Sequence, residues 1–373
     1  MTSAPVPFND LKRGTDSIRT ELDAAISRVV SSGWFVLGPE HDAFESELAA
    51  YVGTAHAINV GNGTDALELG LAALGVIPGS LVLTVANAGA YTSTAARLLG
   101  AEPVYVDIDP DTHLMSAATL ERALAGCGDV PAAIVVTHLY GALAPMDEIL
   151  IVAAKHNIPV LEDCAQSLGA RANGTMAGAF GHISTTSFYP TKNLGALGDG
   201  GAVMTNNAEL AERVRRMRQY GWASKYSIES AHGRNSRLDE MQAAILRVKL
   251  PLLDAGNQRR RDIHAVYESA LAASSHANEL RLVNAANEGF IAHLAVLETA
   301  DRAGARAALD AAGIKTDVHY PVPDHQQKWP DFSPRHMPLE STERAAGRVF
   351  SVPMFPELTD AEVTRVAEGL SAL

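Results

Sequence analysis

The stretch between residues 56 and 163 alternates short apolar runs with segments of helical periodicity, and this alternation limits the fold more than any other feature of the chain. The apolar runs include "HAINVG", "LVLTVA", "PVYVDID" and "IPVLEDCA", with segments such as "TDALELGLAALG" and "MDEILIVAAKHN" between them. Such alternation predicts βα units, in which a mostly parallel sheet carries helices on both faces. Beyond Asp163 come two strand-like runs, "HISTTSFYP" and "GGAVMTN", one of which can run antiparallel to the rest.

Helices are predicted ahead of the sheet, and a smaller domain after it. The segments "TDSIRTELDAAISRVVSSG" and "EHDAFESELAAYVG" have apolar residues at helical spacing, and each ends at a glycine that can cap a helix. Further on, Pro251 interrupts the helical stripe of "LDEMQAAILRVKLPLLD". Because single cores stop growing at about 250 to 300 residues, we predict a large domain at residues 1–250 and a smaller α+β domain at 251–373.

Charge and composition argue against several classes of function. The net charge of −13 is spread along the chain without a basic face, so we expect no nucleic-acid partner. The two cysteines, Cys127 and Cys164, are far apart and indicate neither a disulfide framework nor a zinc site. The N-terminal residues lack the apolar stretch of a signal peptide, and no window reaches the roughly 18 apolar residues of a spanning helix. We therefore expect a cytoplasmic protein without membrane attachment.

The segment "NVGNGTDALELG" predicts a strand, a glycine turn and the start of a helix. Gly61 and Gly63 allow backbone amides to approach a ligand, and the following helix N-terminus suits a phosphate, to which Thr64 can add a hydroxyl. The alternative is a tight turn in which Asp65 is the N-cap and Glu68 closes a capping box.

A second polar segment, "VLEDCAQSLGA", follows an apolar strand. Glu162 and Asp163 stand at the predicted strand end, with Gln166 three residues beyond Asp163. An acid in this place can bind a metal, orient a histidine or hold a proton on a heteroaromatic nitrogen, while the structural alternative is a helix cap.

The glycine-rich connection "SFYPTKNLGALGDGGAV" contains a single lysine, Lys192. A lysine on such a loop is usually a solvated surface charge. Beside a phosphate site and an acid, however, a partly desolvated lysine with a lowered pKa can attack a carbonyl. An amine, an acid for a pyridinium nitrogen and a phosphate cradle are together the contacts that pyridoxal phosphate needs.

These segments, taken in order, resemble the pyridoxal-phosphate-dependent sugar aminotransferases of the DegT/DnrJ/EryC1/StrS family. The similarity covers nearly the whole chain and extends to "RQYGW", "NSRLDEMQAAIL", "HYPVPDHQQ" and "SVPMFPELTD". It implies the fold-type-I architecture of aspartate aminotransferase, an α/β fold with a mostly parallel central sheet and a smaller C-terminal α+β domain. It also implies pyridoxal 5′-phosphate as cofactor, with pyridoxamine 5′-phosphate as its intermediate form.

The resemblance assigns roles to individual residues. Lys192 is similar to the lysine that carries the cofactor covalently and then moves the proton in the 1,3-shift. Asp163 resembles the carboxylate that pairs with the pyridine nitrogen, and Gln166 resembles the residue beside the cofactor's phenolic oxygen.

The phosphate-binding set is also implied by the resemblance. Gly63, Thr64 and Ser187 are similar to the residues that hold the cofactor phosphate. Asn235 resembles an asparagine that reaches the phosphate in the neighbouring subunit, although its position ahead of a helix also suits a cap. The similarity therefore implies a homodimer whose active sites are shared.

Two segments bear on the substrate. In "VANAGAYTSTAARLLGA", where many relatives carry a threonine–aromatic pair, Tyr91 is the available aromatic and our candidate for stacking on the cofactor ring. This version resembles the subgroup that acts on C3 of dTDP-linked 3-keto-6-deoxyhexoses.

In "HYPVPDHQQ", His319, Tyr320 and His325 resemble a loop near the substrate. A metal site at these histidines lacks a third ligand at suitable spacing, and a purely structural loop is the other alternative.

The implied reaction moves an amino group from L-glutamate to a dTDP-3-keto-6-deoxyhexose. A C4 sugar or amino-cyclitol aminotransferase is the alternative, and the product can serve antibiotic deoxysugar biosynthesis or a surface polysaccharide. Deoxygenating relatives that lack the lysine are disfavoured by Lys192. A non-catalytic regulator is disfavoured because binding alone requires no reactive amine.

Overall fold

The computed structural model describes residues 4–274 and 280–373. Thirteen α-helices and fifteen strands are present in these ranges. The helices are α1 (Leu11–Ser17), α2 (Arg19–Ser32), α3 (Pro39–Val52), α4 (Gly63–Ala73), α5 (Tyr91–Leu98), α6 (Ala117–Gly126), α7 (Met146–Lys155), α8 (Ala208–Met217), α9 (Glu240–Lys249), α10 (Leu253–Ala272), α11 (Arg302–Ala311), α12 (Glu340–Arg348) and α13 (Asp360–Ser371). The strands are β1 (His56–Val60), β2 (Leu81–Val85), β3 (Glu102–Val106), β4 (Ala133–Thr137), β5 (Val160–Asp163), β6 (Arg171–Ala172), β7 (Thr175–Met176), β8 (Ile183–Ser187), β9 (Gly201–Thr205), β10 (Trp222–Ser224), β11 (Ser227–Ile228), β12 (Leu280–Leu282), β13 (Ala295–Thr299), β14 (Arg335–His336) and β15 (Val349–Val352).

The central sheet has eight strands in the order β1-β9-β8-β5-β4-β2-β3-β14. Its inner pairs β8–β5, β5–β4, β4–β2 and β2–β3 are parallel, whereas β9 is antiparallel to both of its neighbours. The predicted mostly parallel sheet is thus confirmed, and β9, from "GGAVMTN", is the antiparallel strand. Strands β2, β4 and β9 of the central sheet are buried at every position, as expected of a sheet covered on both faces.

A second, antiparallel sheet of β12, β13 and β15 lies after α10. The predicted boundary near residue 250 falls at a short 3₁₀ turn, Leu250–Leu252, between α9 and α10. Residues on the two sides of this boundary contact each other, since β14 pairs with β3 and Val6 bridges Ile314. The division into 1–250 and 251–373 stays a prediction.

The ends of the N-terminal helices agree with the sequence. Gly33 and Gly53 follow α2 and α3 in the left-handed conformation, with φ of 66° and 85°. Glycine adopts this conformation without the steric cost that a Cβ would add, so both helices stop where the sequence predicts. Among the described residues, no helix combines the length and apolarity needed to cross a bilayer.

Candidate active site

A cavity of about 650 Å³ opens beyond the carboxyl ends of β5 and β8, the edge at which open α/β sheets bind ligands. The N-terminus of α4 and the segments before β13 and after α11 complete its walls. The predicted site residues that line it are Gly63, Thr64, Tyr91, Asp163, Gln166, Ser187, Lys192, His319 and Tyr320.

Lys192 lies on the connection between β8 and β9. Its amide donates to the carbonyl of Tyr189 at 2.8 Å, which closes a tight turn. The loop then passes so close to itself that a Cβ at Gly195 would lie 2.4 Å from the carbonyl oxygen of Pro190. Only glycine allows this approach, so the glycines around the lysine shape the loop that brings it to the cavity.

Lys192 and Asp163 influence each other's ionisation across the cavity. Burial lowers the pKa of the Lys192 amine to about 8, although the Asp163 charge opposes this shift. Burial likewise raises the pKa of the Asp163 carboxyl, against the hydrogen bond from the Ala165 amide and the charges of Lys192 and His138. A lysine whose pKa lies close to neutral pH, beside a buried acid, is the combination expected of a reactive amine.

Glu162 points away from the cavity, because successive side chains of a strand alternate between faces. Its carboxylate accepts hydrogen bonds of 2.7 to 3.0 Å from the amides of Gly178, Phe180 and Gly181 and from the ring of His138. Donor groups of His138, Glu162 and Cys164 come within 4.8 Å of one another, as in a metal site. Since four donors already occupy the carboxylate, we interpret this cluster as structural support beneath Asp163.

The N-terminus of α4 forms a cradle against the end of β8. A Cβ at Gly63 would lie 2.7 Å from the Cβ of Ser187, so glycine is required there. Asn62 is the N-cap and accepts from the Asp65 amide at 2.8 Å. The amides of Gly63 and Thr64, in the first helical turn, lack intrahelical acceptors and can bind an anion.

The alternative cap predicted for this helix is wrong. Asp65 accepts from the Ser236 hydroxyl at 2.6 Å instead of capping, and the buried Glu68 pairs with the guanidinium of Arg234. The helix begins at Gly63, one turn before the position that an Asp65 cap would require, because Asn62 supplies the capping oxygen.

Gln166 is held on both sides of its amide group. Its Oε1 accepts from the Tyr140 amide at 2.7 Å, and its Nε2 donates to the Tyr320 hydroxyl at 3.1 Å. The first bond fixes Oε1 as the acceptor, so the NH₂ group faces the cavity as a donor.

Tyr91 and Tyr320 form one wall of the cavity, the tyrosine wall. Their ring centroids are 6.2 Å apart in an edge-to-face arrangement. Gly89, with φ of 80°, lies beneath them, and a Cβ there would come within 3.0 Å of both rings. The glycine in "ANAGAY" therefore leaves the space that both tyrosines occupy. Tyr91 is 49% exposed, and its stacking on the cofactor stays a prediction.

The two predicted histidines occupy different environments. The ring of His319 lies in the cavity wall, stacked on Phe8 with centroids 5.7 Å apart. His325 lies outside the cavity lining and contacts Glu343 through Nε2 at 3.1 Å. Its position gives no support to a substrate contact, which stays a prediction.

Asn235 also lies outside the cavity of this subunit. It is exposed and bridges Gln219 beside the β10–β11 hairpin. A role in the neighbouring subunit's site agrees with this exposure and stays a prediction.

His293 lines the cavity and was missed in the sequence. Its Nδ1 is 2.8 Å from Oδ1 of Asn193, whose Nδ2 donates to Asn257. Because that oxygen is an acceptor, Nδ1 carries the proton and Nε2 is left as an acceptor. Burial, aided by the Lys192 charge, lowers the His293 pKa well below its ordinary value and keeps the ring neutral. In the sequence, the one feature that could have indicated His293 as a site residue is its position as a polar residue at the start of the apolar run "HLAVLE".

Other lining residues were not singled out in the sequence, although Asp199 and Met354 stand within quoted segments: Phe8, Asn9, Asp199, Leu294, Asp317 and Met354. They come from regions far apart in sequence, and no local pattern brings them together.

The residues fit pyridoxal 5′-phosphate. The cavity brings together an amine of lowered pKa, a buried carboxyl group and a glycine-lined helix N-terminus whose first amides can hold a phosphate. Lys192 would carry the cofactor, Asp163 would face its ring nitrogen, and Gly63, Thr64 and Ser187 would hold its phosphate.

Comparison with known proteins agrees with this geometry. A model of the DegT/DnrJ/EryC1/StrS aminotransferase family matches residues 16–371. The dTDP-3-amino-3,4,6-trideoxy-α-D-glucose transaminase of Streptomyces venezuelae is 42% identical over 98% of this chain and 95% of its own. The UDP-N-acetyl-3-dehydro-α-D-glucosamine 3-aminotransferase of Acidithiobacillus ferrooxidans is 39% identical over 97% of this chain and 96% of its own.

Among solved structures, S. venezuelae DesV in complex with a ketimine intermediate superposes with a TM-score of 0.93. It is 41% identical to this chain and covers 99% of it, with 98% of DesV matched. The similarity thus extends over both sheets and the entire cavity.

Proposed function

The chain belongs to the DegT/DnrJ/EryC1/StrS aminotransferase family, and from this premise we propose that it moves an amino group from L-glutamate to C3 of a dTDP-linked 3-keto-6-deoxyhexose. The observation that carries the proposal is the meeting of Lys192, Asp163 and the Gly63 cradle in one cavity. Both reported relatives are named for amination at C3, one on a dTDP sugar and one on a UDP sugar. The dTDP sugar is preferred because that relative is the more similar and because "ANAGAY" resembles its subgroup.

Pyridoxal 5′-phosphate, when bound, supplies an electron sink for the carbon from which a proton is removed. Lys192 Nζ, with its pKa lowered to about 8, can take the proton from the α-carbon of the amino donor near neutral pH. Asp163 would keep a proton on the ring nitrogen of the bound cofactor, since a buried carboxylate stabilises a nearby positive charge. The side-chain NH₂ of Gln166 points into the cavity and can donate to a phenolic oxygen.

A homodimer completes the proposed site. The large aromatic side chains exposed near Asn235 form what we call the aromatic patch, Trp34, Phe35, Tyr220 and Tyr226, which are 38% to 77% exposed. Val36 bridges Asp239, which brings the first part of this patch next to the Asn235 segment. Exposed aromatic groups of this kind mark interfaces, and a second copy would bring Asn235 to the neighbouring phosphate.

Acceptor choice is tested by turnover with L-glutamate as donor. The loaded enzyme would be given the dTDP-linked 3-keto-6-deoxyhexose, its 4-keto isomer, the UDP-linked 3-keto sugar and a keto-cyclitol, and 2-oxoglutarate would be measured. We expect the largest kcat/KM with the dTDP-linked 3-keto sugar. Turnover confined to the 4-keto sugar or the cyclitol would reject C3 amination, and the UDP sugar as the best substrate would reject the nucleotide.

A further inference from the structure

The segment from Tyr320 to Met337 leaves the cavity and crosses to the outer edge of the large sheet, where β14 pairs with β3. We call this segment the strap. Asp324 lies near its start and is 1% exposed. Its Oδ1 accepts from the Ala90 amide at 2.8 Å and its Oδ2 from the Ser93 hydroxyl at 2.6 Å. The Asp324 amide donates to the carbonyl of Ala86 at 2.8 Å, so the residue is bound to the loop before α5 through both its backbone and its side chain.

The partners of the Asp324 carboxyl group are neutral. Among the described residues, no cation pairs with it, and burial raises its pKa to about 7. A buried acid without a counter-charge costs free energy, which makes it a poor choice for simple core packing. Its place in the strap, four residues after Tyr320, therefore indicates a task that an apolar residue cannot perform.

Asp324 holds the start of helix α5, and this contact indicates its task. Ala90 is the N-cap of α5 and has φ of 64°, a conformation unfavourable for a residue with a Cβ, and its own side chain offers no capping bond. Asp324 holds this helix start from outside the helix, through the amide of Ala90 and the side chain of Ser93. Tyr91 is the first residue of that helix, and Tyr320 stands four residues before Asp324. One carboxyl group thus ties together the two segments that carry the tyrosine wall.

We propose that Asp324 is a positioning residue for the amino acceptor, which locks Tyr91 and Tyr320 into a single wall against which the keto sugar binds. The inference rests on the proposed function. The wall is half-exposed at Tyr91, toward the open side of the cavity, whereas Lys192 and Asp163 lie deeper. Aromatic faces pack against the apolar face of a sugar ring, a surface that glutamate does not offer. Loosening the wall therefore weakens binding of the acceptor much more than it slows the donor half-reaction, which would use the wall only through the predicted stacking of Tyr91 on the cofactor.

Two variants remove the contact from opposite sides. Asp324→Asn keeps an oxygen for the Ala90 amide but puts an NH₂ group where the Ser93 hydroxyl now donates, so that hydrogen bond to a carboxylate is lost. Ser93→Ala removes the same bond from the other side while leaving the strap intact. Asp107→Asn is the matched control, because Asp107 anchors the far end of the same chain region through the Ser341 and Thr342 amides at the start of α12. It is a structural anchor away from the cavity lining.

The measurement is KM and kcat for the keto sugar, together with the rate at which glutamate bleaches the bound cofactor. We expect Asp324→Asn to raise the acceptor KM about tenfold and Ser93→Ala to raise it about threefold, as expected for lost hydrogen bonds to a buried acid. The glutamate step should stay within about twofold of wild type for both variants, and Asp107→Asn should leave the acceptor KM unchanged.

The outcomes separate the two proposals. If wild type bleaches with glutamate but Ser93→Ala and Asp324→Asn keep the wild-type acceptor KM, or slow both half-reactions equally as a general loss of structure would, the positioning role is rejected. Ser93→Ala decides the matter if Asp324→Asn does not fold. If wild-type protein is not bleached by glutamate at all, the proposed donor fails first. The KM for the aminated sugar, measured in the reverse half-reaction in which that sugar bleaches the cofactor, then still tests Asp324.

Discussion

Lys192 differs in its surroundings from a surface lysine such as Lys12. Lys12, for comparison, has 80% of its side chain exposed, while Lys192 lines the cavity with its pKa lowered to about 8 by burial. Desolvation disfavours the charged ammonium group, and the Asp163 charge restores only part of the loss. The residue that attacks a carbonyl must be the neutral amine, so this shift has a direct kinetic consequence.

The rate at which apoprotein binds pyridoxal phosphate covalently should therefore rise with pH and level off above an inflection near 8. About one tenth of the Lys192 amines are neutral at pH 7 and about nine tenths at pH 9 if the pKa is 8. Absorbance traces after mixing, recorded from pH 6.5 to pH 9.5 at about half-unit steps, measure this rate. Lys192→Arg should show no covalent phase. A rate that still rises about tenfold per pH unit at pH 9.5 would place the inflection near the ordinary lysine pKa and mean that the amine is not desolvated.

At the residue scale, the sequence identified the side chains that follow apolar strands. Gly63, Asp163 and Lys192 could be predicted because each lies at or just after the carboxyl end of a strand, and strands that run in the same direction end at the same edge of a sheet. His293 and Asp324 could not, because each acts through partners that are distant in sequence, namely Asn193 and Ser93. Nothing in the local pattern of either segment indicates which side chains the fold brings to it.

At the scale of single elements, the start of α4 makes a specific prediction. Gly63→Ala places a Cβ 2.7 Å from that of Ser187, so either the helix or β8 must shift and the cradle loses its shape. We expect the affinity for pyridoxal phosphate to fall at least about tenfold, as for loss of one or two hydrogen bonds to a charged group. Fluorescence titration of the apoprotein measures the change.

Gly347 in α12 provides the control for this substitution. A Cβ there would meet no atom of the described part of the chain within 4 Å. Gly347→Ala should therefore leave cofactor affinity unchanged and raise the free energy of unfolding by about 0.5 to 1 kcal/mol. Equal cofactor affinity in Gly63→Ala and wild type would show that the cradle does not hold the phosphate.

Helix α10 carries a buried histidine that makes the fold sensitive to acid. His264 is fully buried, and neither of its two ring nitrogens has a hydrogen-bond partner within residues 4–274 and 280–373. Burial lowers its pKa to about 4. The unfolded chain, with a histidine pKa near 6.5, binds the proton more readily between these values, so stability falls as the pH drops from about 6.5 toward 4.

Replacement of His264 by leucine should remove this contribution. The loss of unfolding free energy between pH 7 and pH 4.5 should be about 2 kcal/mol smaller in His264→Leu than in wild type. Urea unfolding at the two pH values gives the free energy of unfolding of each protein. Comparing the change between the two pH values, variant against wild type, cancels any pH-independent effect of the substitution on packing. An unchanged pH dependence would show that His264 does not take up its proton on unfolding.

Most helices and strands could be predicted from local sequence patterns, whereas the way they assemble could be predicted only in part. Periodicity predicted β1 to β5 and the helices between them, and the glycines after α2 and α3 predicted where those helices end. The strap was not predicted, because its two-residue strand β14 is too short to have a period. Its place beside β3 depends on contacts such as the Asp324 bonds, which join positions more than 230 residues apart.

At the scale of the whole molecule, the proposed homodimer predicts complementation between two defective chains. Lys192→Ala removes the reactive amine of its own site, and Asn235→Ala removes a phosphate contact that we assign to the neighbouring site. A mixed dimer then contains one site with both defects and one intact site. Co-expression with two different affinity tags, purification of the mixed dimer and an assay of turnover should recover about half of wild-type activity, since one of two sites is intact.

Two results would contradict an active site shared between subunits. If the mixed dimer is no more active than the two parent homodimers, Asn235 serves its own subunit or no site at all. A protein that sediments as a monomer when loaded with cofactor would reject the shared site together with the interface at the aromatic patch.

The central claim is that Lys192 carries the cofactor in a cavity built for transamination. The most direct measurement is the visible absorbance of the protein with pyridoxal phosphate, before and after addition of L-glutamate, for wild type and Lys192→Ala. We expect wild type to show the visible band of the lysine-bound cofactor and to lose it with glutamate as 2-oxoglutarate forms. Lys192→Ala should bind the cofactor without that band. The same band in wild type and in Lys192→Ala would contradict the assignment of the lysine, and a wild-type band unchanged by glutamate would contradict the donor.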